Sequence, residues 1–400
     1  MSSTARVKPA SARPRETSSA TVADQGGLLV DATPAALGKT RGPGGDPAAA
    51  PGALRLRPEE AQAVIAMAAR APSLDNTQPW QFRVHGDTIE LLADPGRQLR
   101  QLDPDGRELM ISCGAALFGL RLGLRSLGLL PVTELLPDPA QPLLAGRVRV
   151  AGRAAMNKVE AELVAAVPHR HTHRGPFTPG DVAARLLDAL VADAAAEGAE
   201  LLLVGQRDRH DRSALTDQLV RLVAAAAAEQ QSNPDITAEL RRWVRAPGSQ
   251  ERDGVPAWAI GPLPGEPEPR PAGYDRRRQR QSRADDPPLP SRFPQRDFGQ
   301  HGSDQPGGVP PSATAVLSTV RDTPTDWLRG GQALNRLLLR AATRWVFASL
   351  QSQPMESTRH RQELRDLLGL TGHPQLLLQF GRSNIAPATP RRPQDELRAD

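Results

Sequence analysis

Gly114-Ala115-Ala116-Leu117 and Gly331-Gln332-Ala333-Leu334 lie 217 positions apart, and the same spacing sets Leu120 on Leu337 and Leu122 on Leu339. Each stretch belongs to an apolar stripe of helical period. In the first, Leu109, Cys113, Ala116, Leu117, Leu120, Leu124 and Leu127 recur three and four residues apart, which predicts a long helix with a buried face. Asp105 and Glu108 are expected to form its capping box. In the second, Thr323-Pro324 with Asp326 starts a helix whose stripe is Trp327, Gly331, Leu334, Leu338, Ala341 and Trp345. Two glycine-indented helices of this kind imply two similar halves, each offering its helix to the other.

Outward from these helices, Pro58 opens a helix with Glu59 and Glu60 near its positive end, and Pro72 stops it. Trp80, Phe82 and Val84 alternate, His85-Gly86-Asp87 turns, and Ile89 to Leu92 returns, which predicts a β-hairpin. A strand at Val148 to Val150, a helix over about 158–167, a strand at Leu201 to Val204 and an alanine-rich helix over about 212–230 follow. Thr314 to Ser318 and Gln375 to Phe380 are the remaining strands. Residues 1–57 have no periodicity and are expected to be a disordered tail. Residues 246–311, rich in Pro, Gly and Arg, are expected to be a mostly irregular insertion. What remains divides into a first half, 58–157, and a second, 158–395.

Composition removes several classes of function. A single cysteine among 400 residues excludes an intramolecular disulfide and any cysteine-rich metal centre. The net charge of +5 could suggest nucleic acid, but lysine occurs only at positions 8, 39 and 158, and the arginines are interspersed with 45 acids. With 3% aromatic residues there is no stacking platform for single strands, so no nucleic-acid partner is expected. The most apolar run, Cys113 to Pro131, is broken by Arg121 and Arg125, and the N-terminus has no apolar leader, so neither a membrane span nor secretion is expected and the chain reads as cytoplasmic. His169, His171 and His173 alternate sides of an extended segment without a second ligand motif, so no metal is expected. Cys113, on the apolar stripe, reads as core.

Ala71-Pro72-Ser73-Leu74-Asp75-Asn76-Thr77-Gln78-Pro79-Trp80 resembles the A-P-S-x-x-N-x-Q-P-W loop of the nitroreductase superfamily, which lies against FMN. Asp103-Pro104-Asp105-Gly106-Arg107-Glu108-Leu109, Ser112-Cys113-Gly114, Trp327 through Leu334 and Thr389-Pro390-Arg391-Arg392 together resemble the actinobacterial Acg family of FMN-binding, nitroreductase-like proteins, over about 58–395 apart from much of 246–311.

That resemblance implies an α+β, three-layer nitroreductase-like fold in which two fused half-domains form a pseudo-dimer. Nitroreductase homodimers place each FMN at the interface, between an R-[RH]-S-x-[RK]-x-F segment of one subunit and the P-S-x-x-N loop of the other. Here Arg170 through Phe177 approximates the first segment, with Thr for Ser and one extra residue, only in the second half; the N-x-Q-P-W loop occurs only in the first. One complete flavin site is therefore expected, in a monomeric pseudo-dimer rather than a homodimer. The implied cofactor residues are Ser73 and Asn76 for the ribityl chain or ring edge, and Arg170 with Arg391 or Arg392 for the phosphate. Arg174 is implied at the N1/C2-carbonyl edge, His171 and Thr172 lie in the same segment, and Gln353, Pro354, Met355 and Glu356 lie near flavin N5. The implied activity is hydride transfer from NAD(P)H through FMN to a small-molecule electron acceptor, a nitroaromatic, quinone or similar compound. The alternative is a non-enzymatic flavin-sequestering stress protein with the insertion as a lid. Two departures bear on the pocket: Arg344-Trp345 stands where the family has a glycine turn, and Gln379-Phe380-Gly381-Arg382 replaces R-x-G-Y.

Overall fold

The computed structural model describes residues 55–174, 177–205, 212–246, 248–256, 313–383 and 389–399. The N-terminal tail expectation and most of the insertion lie outside them.

The first half runs α1 (Pro58–Ala68), β1 (Trp80–His85), β2 (Thr88–Ala93), α2 (Arg107–Ser126), β3 (Leu129–Leu135) and β4 (Leu144–Arg153), and α3 (Lys158–Ala166) opens the second. The second continues through α4 (Ala184–Ala196), β5 (Glu200–Leu203), α5 (Arg212–Ser232), α6 (Pro234–Arg242), the short parallel pair β6 (Val244–Arg245) and β7 (Val255–Pro256), β8 (Ala313–Thr319), α7 (Pro324–Ala342), β9 (Val346–Leu350), α8 (Thr358–Leu368) and β10 (His373–Arg382). The two four-stranded sheets are antiparallel and share one order: β1-β2-β4-β3 and β5-β8-β10-β9, in each case first, second, fourth, third.

The hairpin and both long helices stand where periodicity put them, except that Trp345, expected on the second stripe, lies beyond the end of α7 with left-handed backbone and an exposed ring. The Asp105–Glu108 capping box does not form. Gly106, at φ +71°, is the N-cap of α2, and the turn through it makes Asp103 the acceptor: its carboxyl oxygens take the Glu108 and Leu109 amides at 3.0 and 2.9 Å. Thr323 and Asp326 do cap α7 reciprocally. Sequence reading also passed over β3, whose Pro131 is tolerated because β3 is an edge strand, and over α6, β9 and α8.

Helix α2 lies on the first sheet and α7 on the second, and the two helices pack on each other. A Cβ added at Gly114 would stand 2.1 Å from the Leu328 carbonyl oxygen, and one at Gly331 would stand 1.9 Å from that of Ile111. The glycines thus let each backbone press directly into the other. The cores interlock in consequence: Leu328 of α7 is buried in the first-half core, and Ile111 of α2 in the second. Helices α5 and α8 cover the far face of the second sheet through Leu219, Val223 and Leu364 against Val316 and Leu377. By length and composition α2 could cross a bilayer, but 94% of its apolar window is buried inside the fold. The C-terminus crosses back to the first half, where Leu397 is buried and Ala399 N–H donates to Phe82 O at 2.9 Å.

Candidate functional site

A cleft opens where the halves meet at the N-terminal end of α2. The first half contributes Pro72, Ser73, Leu74 and Asp75 from the loop after α1, and Glu108, Ile111 and Ser112 from α2. The second contributes Thr172, His173 and Arg174, Leu334 of α7, Ser349 through Gln353 after β9, and Leu376 of β10. Leucine, isoleucine and proline side chains form part of the lining, and the remaining residues are polar or charged, so the cleft offers both apolar surface and convergent hydrogen-bonding groups.

Of the residues singled out from sequence, Ser73, Thr172, Arg174 and Gln353 line this cleft. Ser73 Oγ accepts from Gln78 N–H at 2.9 Å, which shapes the loop. Thr172 forms an isolated bridge to Ala348, and His173 N–H donates to Ala348 O, so β9 aims the 172–174 segment at the cleft. Pro354 and Met355 are buried behind Gln353; Arg361 Nη1 donates to Met355 O at 2.8 Å, and Gln230 Nε2 donates to Glu356 at 2.7 Å.

Asn76 is buried beside the cleft instead of lining it. Its Nδ2 donates to Gly254 O at 3.0 Å and Pro390 O at 3.2 Å, and its Oδ1 accepts from Arg391 Nη1 at 3.0 Å. Arg392 is consumed by a clasp: its N–H and Nη1 donate to Gln78, and its Nε and Nη2 to Glu396.

Arg170 and Arg391 are different. Arg170, buried in the segment just before Thr172, donates through Nη2 to Arg70 O at 3.1 Å, while its Nε and Nη1 have no partner. Arg391 donates through Nη2 to the same Arg70 oxygen at 3.3 Å, and its Nε has no partner. Burial, then the charge of Arg70, pushes the Arg170 guanidinium down to about 10. Burial, then Arg170 and Arg70, pushes Arg391 down to about 9. Like charges gathered with free N–H groups are a setting that an anion suits. Next to them His171 is buried against Phe347 with Nε2 unpartnered, and burial depresses it to about 4.

Sequence reading missed Arg70, Asp75, Glu108 and Gln351. Glu108 is buried and paired with Arg107; burial raises its pKa against the pull of Arg107. Arg107 reaches across to Gln375 of β10, with Nε 3.1 Å from Oε1, and so ties the floor of the cleft to both halves. The available signal for Glu108 was its motif, Asp103 through Leu109, which sequence reading used only as a helix start. Cys113, fully buried, has its thiol pKa pushed up by burial, in keeping with a core role.

No family model matches the chain. It is 32% identical over 348 residues to "Putative NAD(P)H nitroreductase Rv3131" of Mycobacterium tuberculosis (strain ATCC 25618 / H37Rv), covering 84% of this chain and 89% of that protein. It is 27% identical over 348 residues to "Putative NAD(P)H nitroreductase acg" of the same strain, covering 84% and 94%. Among solved structures, a nitroreductase with bound FMN from Desulfitobacterium hafniense DCB-2 aligns at 13% identity and a TM-score of 0.30, covering 60% of this chain and 96% of that one.

Proposed function

The chain belongs to the nitroreductase-like family that includes Acg, and from the cleft between its halves we propose that it is an FMN-dependent NAD(P)H oxidoreductase with one flavin site per chain. The observation that carries this reading is the buried pair Arg170 and Arg391, with unpartnered N–H groups on both, beside a cleft lined by both halves. A phosphate close to a dianion suits those free donors, and forked guanidinium geometry suits its oxygens. Because one chain supplies both walls, the site is complete without a second subunit.

When bound, FMN supplies the hydride chemistry. Arg170 and Arg391 hold the phosphate. Arg174, a fixed positive charge in the cleft lining, favours the reduced ring when set at its N1/C2-carbonyl edge. Ile111, Leu334, Leu350 and Leu376 give apolar surface, which suits an aromatic acceptor such as a nitroaromatic or quinone and keeps water from the ring. Glu108 also lines the cleft, where burial raises its pKa against the pull of its partner Arg107.

Anaerobic addition of NADPH to the FMN-loaded protein tests this: the flavin absorbance bleaches and returns on addition of a quinone. Flavin that stays oxidised at millimolar NADPH and NADH rejects the oxidoreductase. It leaves the sequestering reading, for which one observation speaks: the described start of the insertion is pinned beside the cleft, with Gln78 Nε2 donating to Arg252 O at 2.9 Å and Gly254 N–H to Asn76 O at 3.2 Å.

A further inference from the structure

Five non-glycine residues among the described ones have positive φ, and three of them, Asp75, Asn76 and Gln78, fall in one four-residue stretch of the cleft loop. Asp75, at φ 43° and ψ 30°, is 5% exposed and lines the cleft, yet its Oδ2 is buried without a hydrogen-bond partner. Strained backbone and an unsatisfied buried acceptor both cost stability, and they persist together where the surroundings hold a group ready for something else. Neighbouring strain is explained by structure: Asn76 reaches Arg391 and Gly254, and Gln78 reaches Arg252 and Arg392. Asp75 has no such account.

We infer that Asp75 is a ligand-binding residue whose carboxyl accepts a hydrogen bond from a ribityl hydroxyl of the bound flavin. This rests on the flavin reading above. The assignment to the ribityl chain follows from position. Asn76, the next residue, is bonded to Arg391 of the phosphate cradle, and Arg70, whose carbonyl Arg170 and Arg391 share, begins the same loop. In FMN the group next to the phosphate is the ribityl chain, and its hydroxyls are donors that an unpaired carboxyl oxygen can take. Ser73 Oγ already accepts from Gln78 N–H and keeps one lone pair and its own O–H, whereas Asp75 Oδ2 is wholly unpartnered.

Equilibrium fluorescence titration of the apo chain with riboflavin and with lumiflavin, which lacks the ribityl chain, tests the inference. Asp75→Gly removes the carboxyl and suits the left-handed backbone. It is expected to bind riboflavin about tenfold more weakly than wild type and lumiflavin equally well. Asp75→Asn, which keeps a neutral acceptor at the same φ, is expected to fall between, and the apo form of each variant is expected to melt no lower than wild type. Riboflavin affinity within twofold of wild type in both variants, an equal loss for lumiflavin, or a lower apo melting temperature for Asp75→Asn overturns the assignment. A wild-type chain that takes up neither FMN nor riboflavin overturns the flavin reading itself and this inference with it, whereas failure confined to the variants' comparison leaves that reading intact.

Discussion

Arg170 and Arg391, 221 positions apart in the chain, donate through their Nη2 atoms to one carbonyl oxygen, that of Arg70, at 3.1 and 3.3 Å. The loop of the first half, the segment of the second and the C-terminal strap therefore meet at one buried, positively charged point. On the flavin reading, an anion bound there relieves the self-repulsion. Sulfate or inorganic phosphate is expected to raise the melting temperature of the apo chain, the added stability growing with anion concentration to about 3 kcal/mol at a hundred times Kd. Arg170→Met is expected to melt higher than wild type without anion and to respond little to it. Differential scanning calorimetry over an anion series checks both.

His171 adds a pH dependence. Its pKa is about 4 in the folded chain, pushed down by burial, against an ordinary 6.5. Between those values the unfolded chain binds the extra proton, so the stability present above 6.5 is lost as pH falls toward 4. The loss reaches at most about 3 kcal/mol. Urea melts at pH 7 and pH 4.5 should differ less in His171→Gln than in wild type; equal differences contradict this.

The contact between the halves depends on two missing side chains. Gly331→Ala forces a Cβ to within 1.9 Å of the Ile111 carbonyl oxygen, so the helices must separate. A loss of about 3 kcal/mol in urea unfolding is expected, together with weaker flavin retention, since Ile111 and Leu334 also line the cleft. Gly330→Ala, with only ordinary contacts to Gln375, should cost much less.

Trp345 and Gly128 are 217 positions apart, the spacing of the helix repeat, and both have left-handed backbone just after their helices, at φ 53° and φ 70°. The glycine is at ease there and the tryptophan is not. Trp345 is 47% exposed, with its ring against His169 and Phe347. Trp345→Gly is expected to stabilise the chain by about 1 kcal/mol after the loss of those ring contacts, whereas Gly128→Ala destabilises it by a similar amount. Thermal melts of the two variants should move in opposite directions.

These particulars mark what the sequence could reveal. The Gly114–Gly331 spacing exposed the paired helices because both the stripe and the indentation are local patterns. Ser73, Thr172 and Arg174 were legible through short motifs. Asp75 and Arg70 were not, since an unpaired oxygen and a shared carbonyl arise only when distant segments meet. Asp103 displaced Asp105 as the cap of α2 for a local reason that the spacing alone could not convey: the left-handed turn at Gly106. Arg391 and Arg392, indistinguishable as neighbours in sequence, are separated by their partners, one beside the cleft loop and the other locked to Gln78 and Glu396.

The central claim is a single flavin whose phosphate rests on Arg170 and Arg391. Titrating the apo chain with FMN and with riboflavin, in wild type and in Arg170→Ala, tests it most directly. One FMN per chain is predicted, bound at least tenfold more tightly than riboflavin, with that preference abolished in Arg170→Ala while riboflavin affinity is kept. Two FMN per chain, or an FMN preference that survives the substitution unchanged, contradicts the account.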